Sequence, residues 1–206
     1  MIKKSIYPKT KRVKCDGDIV QITEKIDGSN LCIFKKEDML HIAQRNTIIR
    51  FDELEYYKKN LYNGLYDWIM DNRVALQTIR NDSVVCGEWV GMGNIKYPSN
   101  EFDKHFYMFA KARINDNYDL YNIQYTHDNF IYPFEDLVIP TCIGVVPVVK
   151  ELNYVPTKED LDVLYEIYCG NVGRCVEGFV VNYKDMVTKY VRMKNGKLTE
   201  HFDRGE

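Results

Sequence analysis

The run Glu24-Lys25-Ile26-Asp27-Gly28-Ser29-Asn30 constrains this chain more than any other. Before it, Ile19-Val20-Gln21-Ile22-Thr23 alternates as a short strand does, and after it Leu31-Cys32-Ile33-Phe34 is a second apolar run. Asp27-Gly28-Ser29-Asn30 then reads as the turn of a hairpin, with Gly28 supplying a backbone conformation that other residues resist. On that reading Lys25 is held at a strand end and points into the cleft that the strands line.

The rest of the chain supplies neighbours for that pair. Residues 39–43, followed by Gln44-Arg45-Asn46, predict a strand with a polar end. Over residues 52–70, Leu54, Tyr57, Leu61, Leu65 and Trp68 recur at helical spacing and predict one amphipathic helix, which Gly64 weakens without ending. Residues 83–90 predict a strand closing in Gly87-Glu88-Trp89-Val90-Gly91. Residues 105–112 are almost continuously apolar, the pattern of a strand covered on both faces. Residues 116–125 read as a loop or edge hairpin, and 138–149 as a strand broken by Pro140, Gly144 and Pro147. Thr157 caps a helix whose buried face is Leu161, Leu164, Tyr165 and Tyr168 and which Gly170 stops. A strand over 176–181 starts with Glu177, and one over 189–194 puts Lys189, Val191 and Met193 on one face and Tyr190, Arg192 and Lys194 on the other. Strand runs are often neighbours in sequence, which predicts an α+β fold of largely antiparallel sheets.

At 206 residues the chain is expected to be a single domain that buries its core without staples. A net charge of −2 does not mark a nucleic-acid binder in bulk, so attraction to phosphates would fall to a local stretch such as Lys3, Lys4, Lys9, Lys11, Arg12 and Lys14. The six cysteines (Cys15, Cys32, Cys86, Cys142, Cys169 and Cys175) show no Cys-x-x-Cys spacing, which argues against zinc and for reduced thiols. With no cationic start leading into an apolar core and no run long enough for a bilayer, a soluble, cytoplasmic protein is expected.

Taken alone, a lysine beside an aspartate reads as a surface salt bridge. The ordered set of motifs reads differently. Lys25-x-Asp27-Gly28-x-Asn30 resembles the signature of the covalent nucleotidyltransferases, the superfamily of ATP-dependent DNA and RNA ligases and mRNA capping enzymes. The chain is most similar to the RNA ligase branch typified by the phage double-strand RNA ligase and the RNA-editing ligases, over about residues 20–200. Gln44-Arg45-Asn46 sits where the family carries an arginine near the ribose and the reacting strand ends, and Cys86-Gly87-Glu88-Trp89-Val90-Gly91 resembles the segment whose glutamate contacts the ribose. Phe106-Tyr107-Met108-Phe109 is similar to the strand whose phenylalanine, here Phe109, stacks on the purine. Val176-Glu177-Gly178-Phe179-Val180-Val181 resembles the motif whose glutamate serves the metal. Arg192-Met193-Lys194-Asn195-Gly196-Lys197-Leu198-Thr199-Glu200 resembles the closing basic motif, whose cations, here Arg192 and Lys194, hold the α-phosphate.

The resemblance implies a nucleotidyltransferase (ATP-grasp-like) domain with helices flanking the sheets and a nucleotide cleft between them. It implies an ATP-dependent RNA ligase that joins 5′-phosphate and 3′-hydroxyl RNA ends through a lysyl-AMP, with ATP as substrate and Mg2+ or Mn2+ at Glu177. The expected nucleotide-binding residues are Glu24, Ile26, Asp27, Gly28, Asn30, Arg45, Glu88, Phe109 and Glu177, with Lys25, Arg192 and Lys194 catalytic. A capping-type guanylyltransferase, a DNA ligase and a catalytically weakened nucleotide- or RNA-end-binding module are the alternatives. Three positions depart from the family pattern: Ala110 where many members are acidic, Arg192 where the closing motif opens with lysine, and Asn182 where a lysine commonly follows the Glu177 motif. The motif set ends near Glu200, so the chain is expected to be a minimal catalytic domain without a C-terminal accessory or OB domain, acting as a monomer or with a protein partner in place of that domain.

The residue types suit that chemistry. Only a neutral amine attacks phosphorus, and a lysine is ordinarily protonated near neutral pH, so burial and nearby cations must oppose its charge. Glu24 and Asp27 would favour the ammonium, so neither is expected to sit alone against the amine. A carboxylate such as Glu177 suits magnesium, and an aromatic face accepts any purine, so Phe109 does not choose ATP over GTP.

Overall fold

The computed structural model describes residues 1–6, 19–98, 102–125, 139–183, 186–194 and 197–202, with the backbone alone at 186, 194 and 197–202. Lys9, Lys11, Arg12, Lys14 and Cys15 lie outside the described residues. Contacts divide the chain into two compact units. Strand β1 (Val20–Lys25) belongs to the second, and β2 (Gly28–Lys36) to the first.

In the first unit β2 is followed by β3 (Met39–Gln44), β4 (Thr47–Arg50), helices α1 (Leu65–Asp71) and α2 (Arg73–Leu76), then β5 (Ser83–Val90), β6 (Phe106–Ile114), β7 (Leu120–Tyr125) and β8 (Gly144–Val145). They form a seven-stranded sheet in the order β4-β3-β2-β5-β6-β7, with the short β8 parallel beside β6 and the other pairings antiparallel. Strand alternation sorts the apolar residues between two layers. Leu31, Ile33, Ile42 and Val85 pack with Leu65, Trp68, Ile69 and Leu76. Cys32, Phe34, Ala43, Cys86 and Ala110 fill the cluster on the other face.

The second unit is a five-stranded antiparallel sheet, β12-β11-β10-β1-β9, from β9 (Val148–Leu152), β10 (Gly178–Tyr183), β11 (Met186–Lys194) and β12 (Lys197–Phe202). Helix α3 (Lys158–Val172) lies on it, with Leu161 and Tyr165 packed against Val20, Ile22, Phe179, Val181 and Tyr190. Its start is the N-cap read at Thr157, which the structure completes as a capping box: the Thr157 hydroxyl accepts from the Asp160 amide at 3.1 Å, and the Asp160 carboxylate accepts from the Thr157 amide at 2.8 Å. The expectation of an α+β fold with largely antiparallel sheets is met.

Four local readings are corrected. β1 and β2 are not a hairpin: β1 pairs with β9 and β10, and β2 with β3 and β5. Gly28 is absent from the positive-φ glycines, and its reason is instead a close approach, since a Cβ there would lie 2.6 Å from the Trp89 carbonyl oxygen. The single helix over 52–70 is two 3-10 turns and then α1, because Leu61 is extended and Gly64, at φ 75°, caps the helix start. The apolar stripe still reaches the core, since a 3-10 turn presents i and i+3 on one side. Finally α3 runs through Gly170 and stops at Gly173, whose φ of 68° is the left-handed conformation that ends helices.

The described cysteines are free thiols, in keeping with the reading of reduced cysteines. Among the described residues no helix is long and apolar enough to cross a membrane.

Candidate active site

In the second unit β1 is flanked on both sides, and Lys25 is its last residue, opposite Gly178 of β10. Glu177 immediately precedes that strand. The Lys25 Nζ lies 2.5 Å from Glu177 Oε2, and the two side chains are only 18% and 14% exposed. The Glu177 carbonyl accepts from the amides of both Arg192 and Met193, at 2.9 and 3.0 Å, so β11 clamps the backbone that carries the carboxylate. Gly178 is required by the same crowding: a Cβ there would run into the Tyr190 carbonyl. Burial pushes the Glu177 carboxyl above its usual range, the nearby charge of Asp27 adds to that, and Lys25 and Lys189 act against it.

The carboxylates flanking Lys25 in sequence are spent elsewhere, as expected. Asp27 accepts from the amides of Asn94 and Ile95 at 2.6 and 2.9 Å, and Gly93 lets that loop approach, because a Cβ would collide with Asp27. Glu24 points to the α3 side of the sheet. Its fully buried carboxylate takes two hydrogen bonds from Arg174, at 2.9 and 2.8 Å, and one from the Tyr168 hydroxyl at 2.9 Å. Ile26 between them is buried.

The first unit gathers a second set. Asn30 of β2 is opposite Glu88 of β5, and Glu88 is opposite Tyr107 of β6. The β5–β6 register slips between Cys86 and Gly87, pairing Cys86 with Ala110 and Gly87 with Met108, so Phe109 is the extra residue of a β-bulge. It packs against the Cys32–Cys86 cluster, on the face to which alternation assigns Asn30 and Glu88. Arg45, at φ 50° in the turn after β3, sets its guanidinium 5.8 Å from the Tyr62 ring centroid. The Tyr62 hydroxyl donates to the Asn30 carbonyl at 3.0 Å, and the Tyr62 amide donates to Gln44 Oε1 at 3.2 Å. Burial raises the Tyr62 phenol above its ordinary value, which keeps it a donor. Tyr62 thereby links Arg45 to Asn30.

The RNA ligase family model matches residues 18–195. The chain belongs to the RNA ligase family. No curated protein matches it. Among solved structures it is similar to the apo form of a mutant Naegleria gruberi RNA ligase, at 20% identity and a TM-score of 0.57, covering 92% of this chain and 56% of that one. A mutant of the Naegleria gruberi RNA ligase with ATP and Mn matches at 20% identity and a TM-score of 0.54, over 85% of this chain and 49% of that one. A second such mutant with ATP and Mn gives 21% and 0.56, over 92% and 56%. At these identities the likeness establishes the fold. The chain spans about half the length of the solved ligases it matches.

Within this RNA ligase family member, the structure brings together Lys25 with Glu177, and Asn30, Glu88 and Phe109 with one another. It does not bring Arg192 to Lys25. The Arg192 guanidinium is 3.5 Å from Asp162 and 3.6 Å from Glu166 of α3 and lies 5.5 Å from the Tyr165 ring centroid, on the helix side of the sheet. The Lys194 side chain lies outside the described residues. Of the opening basic stretch, Lys4 is engaged by Asp119 at 2.6 Å. Sequence reasoning missed Arg174, Tyr168 as a polar partner, and Tyr62. Arg174 follows the helix stop with no periodicity to mark it, Tyr168 read as part of an apolar helix face, and Tyr62 lies off the apolar stripe over residues 52–70.

Among the described residues no three His, Cys, Asp or Glu side chains gather as a metal site. Magnesium needs no such cage: it takes one or two carboxylates and completes its shell with phosphate oxygens and water. Glu177, with the charge of Asp27 acting on it, fits that requirement.

Proposed function

We propose that this chain carries the nucleotidyl-transfer core of an ATP-dependent RNA ligase, sealing 5′-phosphate to 3′-hydroxyl RNA ends through a lysyl-AMP. The observation that carries the reading is the pairing of Lys25 with Glu177 at 2.5 Å in a member of the RNA ligase family.

Before nucleotide arrives, Glu177 holds the Lys25 ammonium at the end of β1. Lys25, having given one proton of its ammonium to solvent, supplies the electron pair that forms a bond from Nζ to the α-phosphorus of ATP, and the nitrogen gives a second proton to solvent to leave the neutral phosphoramidate. The bond from that phosphorus to the bridging oxygen breaks, and pyrophosphate leaves with its electrons. Magnesium or manganese held through Glu177 and the nucleotide phosphates would neutralise charge building on the phosphoryl oxygens. The 5′-phosphate of an RNA end then takes the adenylate from Lys25, and attack by a 3′-hydroxyl releases AMP. Glu24, Ile26 and Asp27 place the nucleophile in the second unit; in the first, Phe109 offers an aromatic face, Asn30 and Glu88 polar groups and Arg45 a cation, with Gly28 at the start of β2. That the solved Naegleria gruberi mutants were determined with ATP and Mn supports the choice of nucleotide and metal.

The test is incubation with α-labelled ATP or GTP and magnesium. A denaturation-stable label from ATP on the wild type, and none on Lys25→Ala, is expected. No adduct on the wild type, or label persisting on Lys25→Ala, refutes the covalent mechanism. Nicked RNA and nicked DNA offered in parallel separate RNA from DNA ligation.

A further inference from the structure

We propose that Tyr125 extends the aromatic face of Phe109, so that the base of the bound nucleotide lies on two rings. This rests on the reading that the chain binds a nucleoside triphosphate and offers Phe109 to its base.

The bulge in β6 sets the arrangement. Phe109 and Ala110 fall on one face in succession, and Ala110 is level with Cys86 of β5 on one side and with Tyr125 of β7 on the other. The same row runs on through Cys32 to Ala43, a floor of small side chains that Tyr125 closes at its β7 end. Phe109 and Tyr125 both pack against this cluster and both are half-buried, which leaves part of each side chain at the surface. One strand spacing across and one residue along put their α-carbons about 6 Å apart, the separation of neighbouring rings. Ala110 is fully buried, and a methyl group there lets both rings settle on the floor, where a longer side chain would push them up.

The direction of the row matches the shape of a nucleoside. Asn30 and Glu88, whose polar groups suit ribose hydroxyls, lie two residues along β2 and β5 from the Cys32–Cys86 pair. Phe109 therefore has Glu88 on one neighbouring strand and Tyr125 on the other, so a base that leaves a ribose at Glu88 and crosses Phe109 heads for Tyr125. Two strand spacings across and two residues along put the α-carbons of Glu88 and Tyr125 about 12 Å apart, a span that a nucleoside fills once both side chains reach inward. Packing alone does not call for a ring at 125, because β7 serves the same cluster with the aliphatic side chains of Leu120 and Ile123. A second ring suits a purine, whose two fused rings are wider than one phenyl group and stack on any aromatic face.

The test measures binding of ATP and inorganic tripolyphosphate by calorimetry without divalent metal, so that no chemistry intervenes. Tyr125→Leu should weaken ATP about tenfold and leave tripolyphosphate unchanged, and Tyr125→Phe should hold ATP affinity within about threefold of wild type, because the ring carries the contact. Tyr121→Leu, level with Arg113 on the opposite face of β7, should move neither. Fluorescence of Trp68 and Trp89 checks that the first unit is folded in each variant, and Tyr125→Met replaces the leucine variant should that one fail to fold. ATP affinity untouched by loss of the ring overturns the inference, and so does an equal loss for tripolyphosphate, which would mark a structural role. The adduct assay keeps the two readings apart. Wild type that binds ATP through Tyr125 but forms no adduct refutes the lysyl-AMP mechanism alone, whereas an adduct formed with ATP affinity indifferent to Tyr125 refutes this inference alone.

Discussion

Arg174→Ala should damage the second unit far more than its place just after a helix stop suggests. Glu24 is fully buried and Arg174 is 8% exposed, and three hydrogen bonds of 2.8–2.9 Å converge on the Glu24 carboxylate from Arg174 and Tyr168. Removing the guanidinium leaves a buried carboxylate with one neutral donor. Breaking such a pair costs about 3–5 kcal/mol, against about 0–1 kcal/mol for an exposed one. For a chain of this size each kcal/mol moves the melting temperature by about 2–4 °C, so a fall of roughly 6–20 °C is expected. Replacing both partners, as in Glu24→Leu with Arg174→Met, should recover most of the loss, because the desolvation of both charges disappears together. A residue of about 1–3 kcal/mol should remain, since the Tyr168 hydroxyl then lacks its acceptor.

The assay must report on the right unit. Trp68 and Trp89 both lie in the core of the first unit, so tryptophan fluorescence would miss the change. Far-UV circular dichroism in urea, with hydrogen exchange of the β1 amides, reads it directly. A cost for Arg174→Ala below about 1 kcal/mol would place the pair with the exposed ones and refute the reasoning. So would a double variant no more stable than the single, since the penalty would then not come from the orphaned carboxylate. Because Glu24 is covalently next to Lys25, faster exchange in β1 should also lower the yield of labelled adduct.

Three further outcomes follow from local geometry. His41 is buried and stacked on Phe34 at a centroid distance of 4.9 Å, and burial together with the charge of Arg50 lowers its pKa below the ordinary 6.5. The unfolded chain therefore binds this proton before the folded one does. First-unit stability should fall as pH drops through 6.5 and level off below the folded pKa, and His41→Phe should flatten that slope in urea midpoints read from tryptophan fluorescence. Gly28→Ala puts a Cβ 2.6 Å from the Trp89 carbonyl and should cost about 1–3 kcal/mol by the same fluorescence. Thr157→Ala removes the acceptor for the Asp160 amide and should cost the second unit about 1 kcal/mol by circular dichroism.

What was legible in the sequence was what periodicity and turn chemistry encode locally. The strand over residues 83–90, the N-cap at Thr157 and the polar end at Gln44-Arg45-Asn46 are all properties of contiguous residues. Partner choice is not local, and it was there that the reading failed. β1 and β2 are adjacent in sequence and have the alternation of a hairpin, yet β1 pairs with β9 and β10, more than 120 residues on, and β2 with its neighbour β3 and with β5, at least 50 residues on. The pairing of Lys25 with Glu177 is of the same kind, since 152 residues separate them and only the motif order joined them. Arg192 shows a third limit: alternation separated it correctly from Lys189, but which face looks toward α3 depends on packing that no strand pattern states.

The alanine at 110 is explained by the backbone. With Cys86 paired to Ala110 and Gly87 to Met108, the bulge at Phe109 breaks the alternation of β6, so that Phe109 and Ala110 fall on the same face in succession. Ala110 is fully buried beside Cys86, whose sulfur lies 3.2 Å from that of Cys32 and whose thiol burial holds protonated. A carboxylate at 110 would be desolvated among thiols and apolar side chains, a costly place for a charge. The same bulge explains Gly87: the register shift brings the Tyr107 carbonyl where a Cβ would sit, so glycine is needed opposite for Phe109 to turn out. Cys86-Gly87-Glu88 and Phe106-Tyr107-Met108-Phe109, which read as two separate motifs, are thus the two sides of one device.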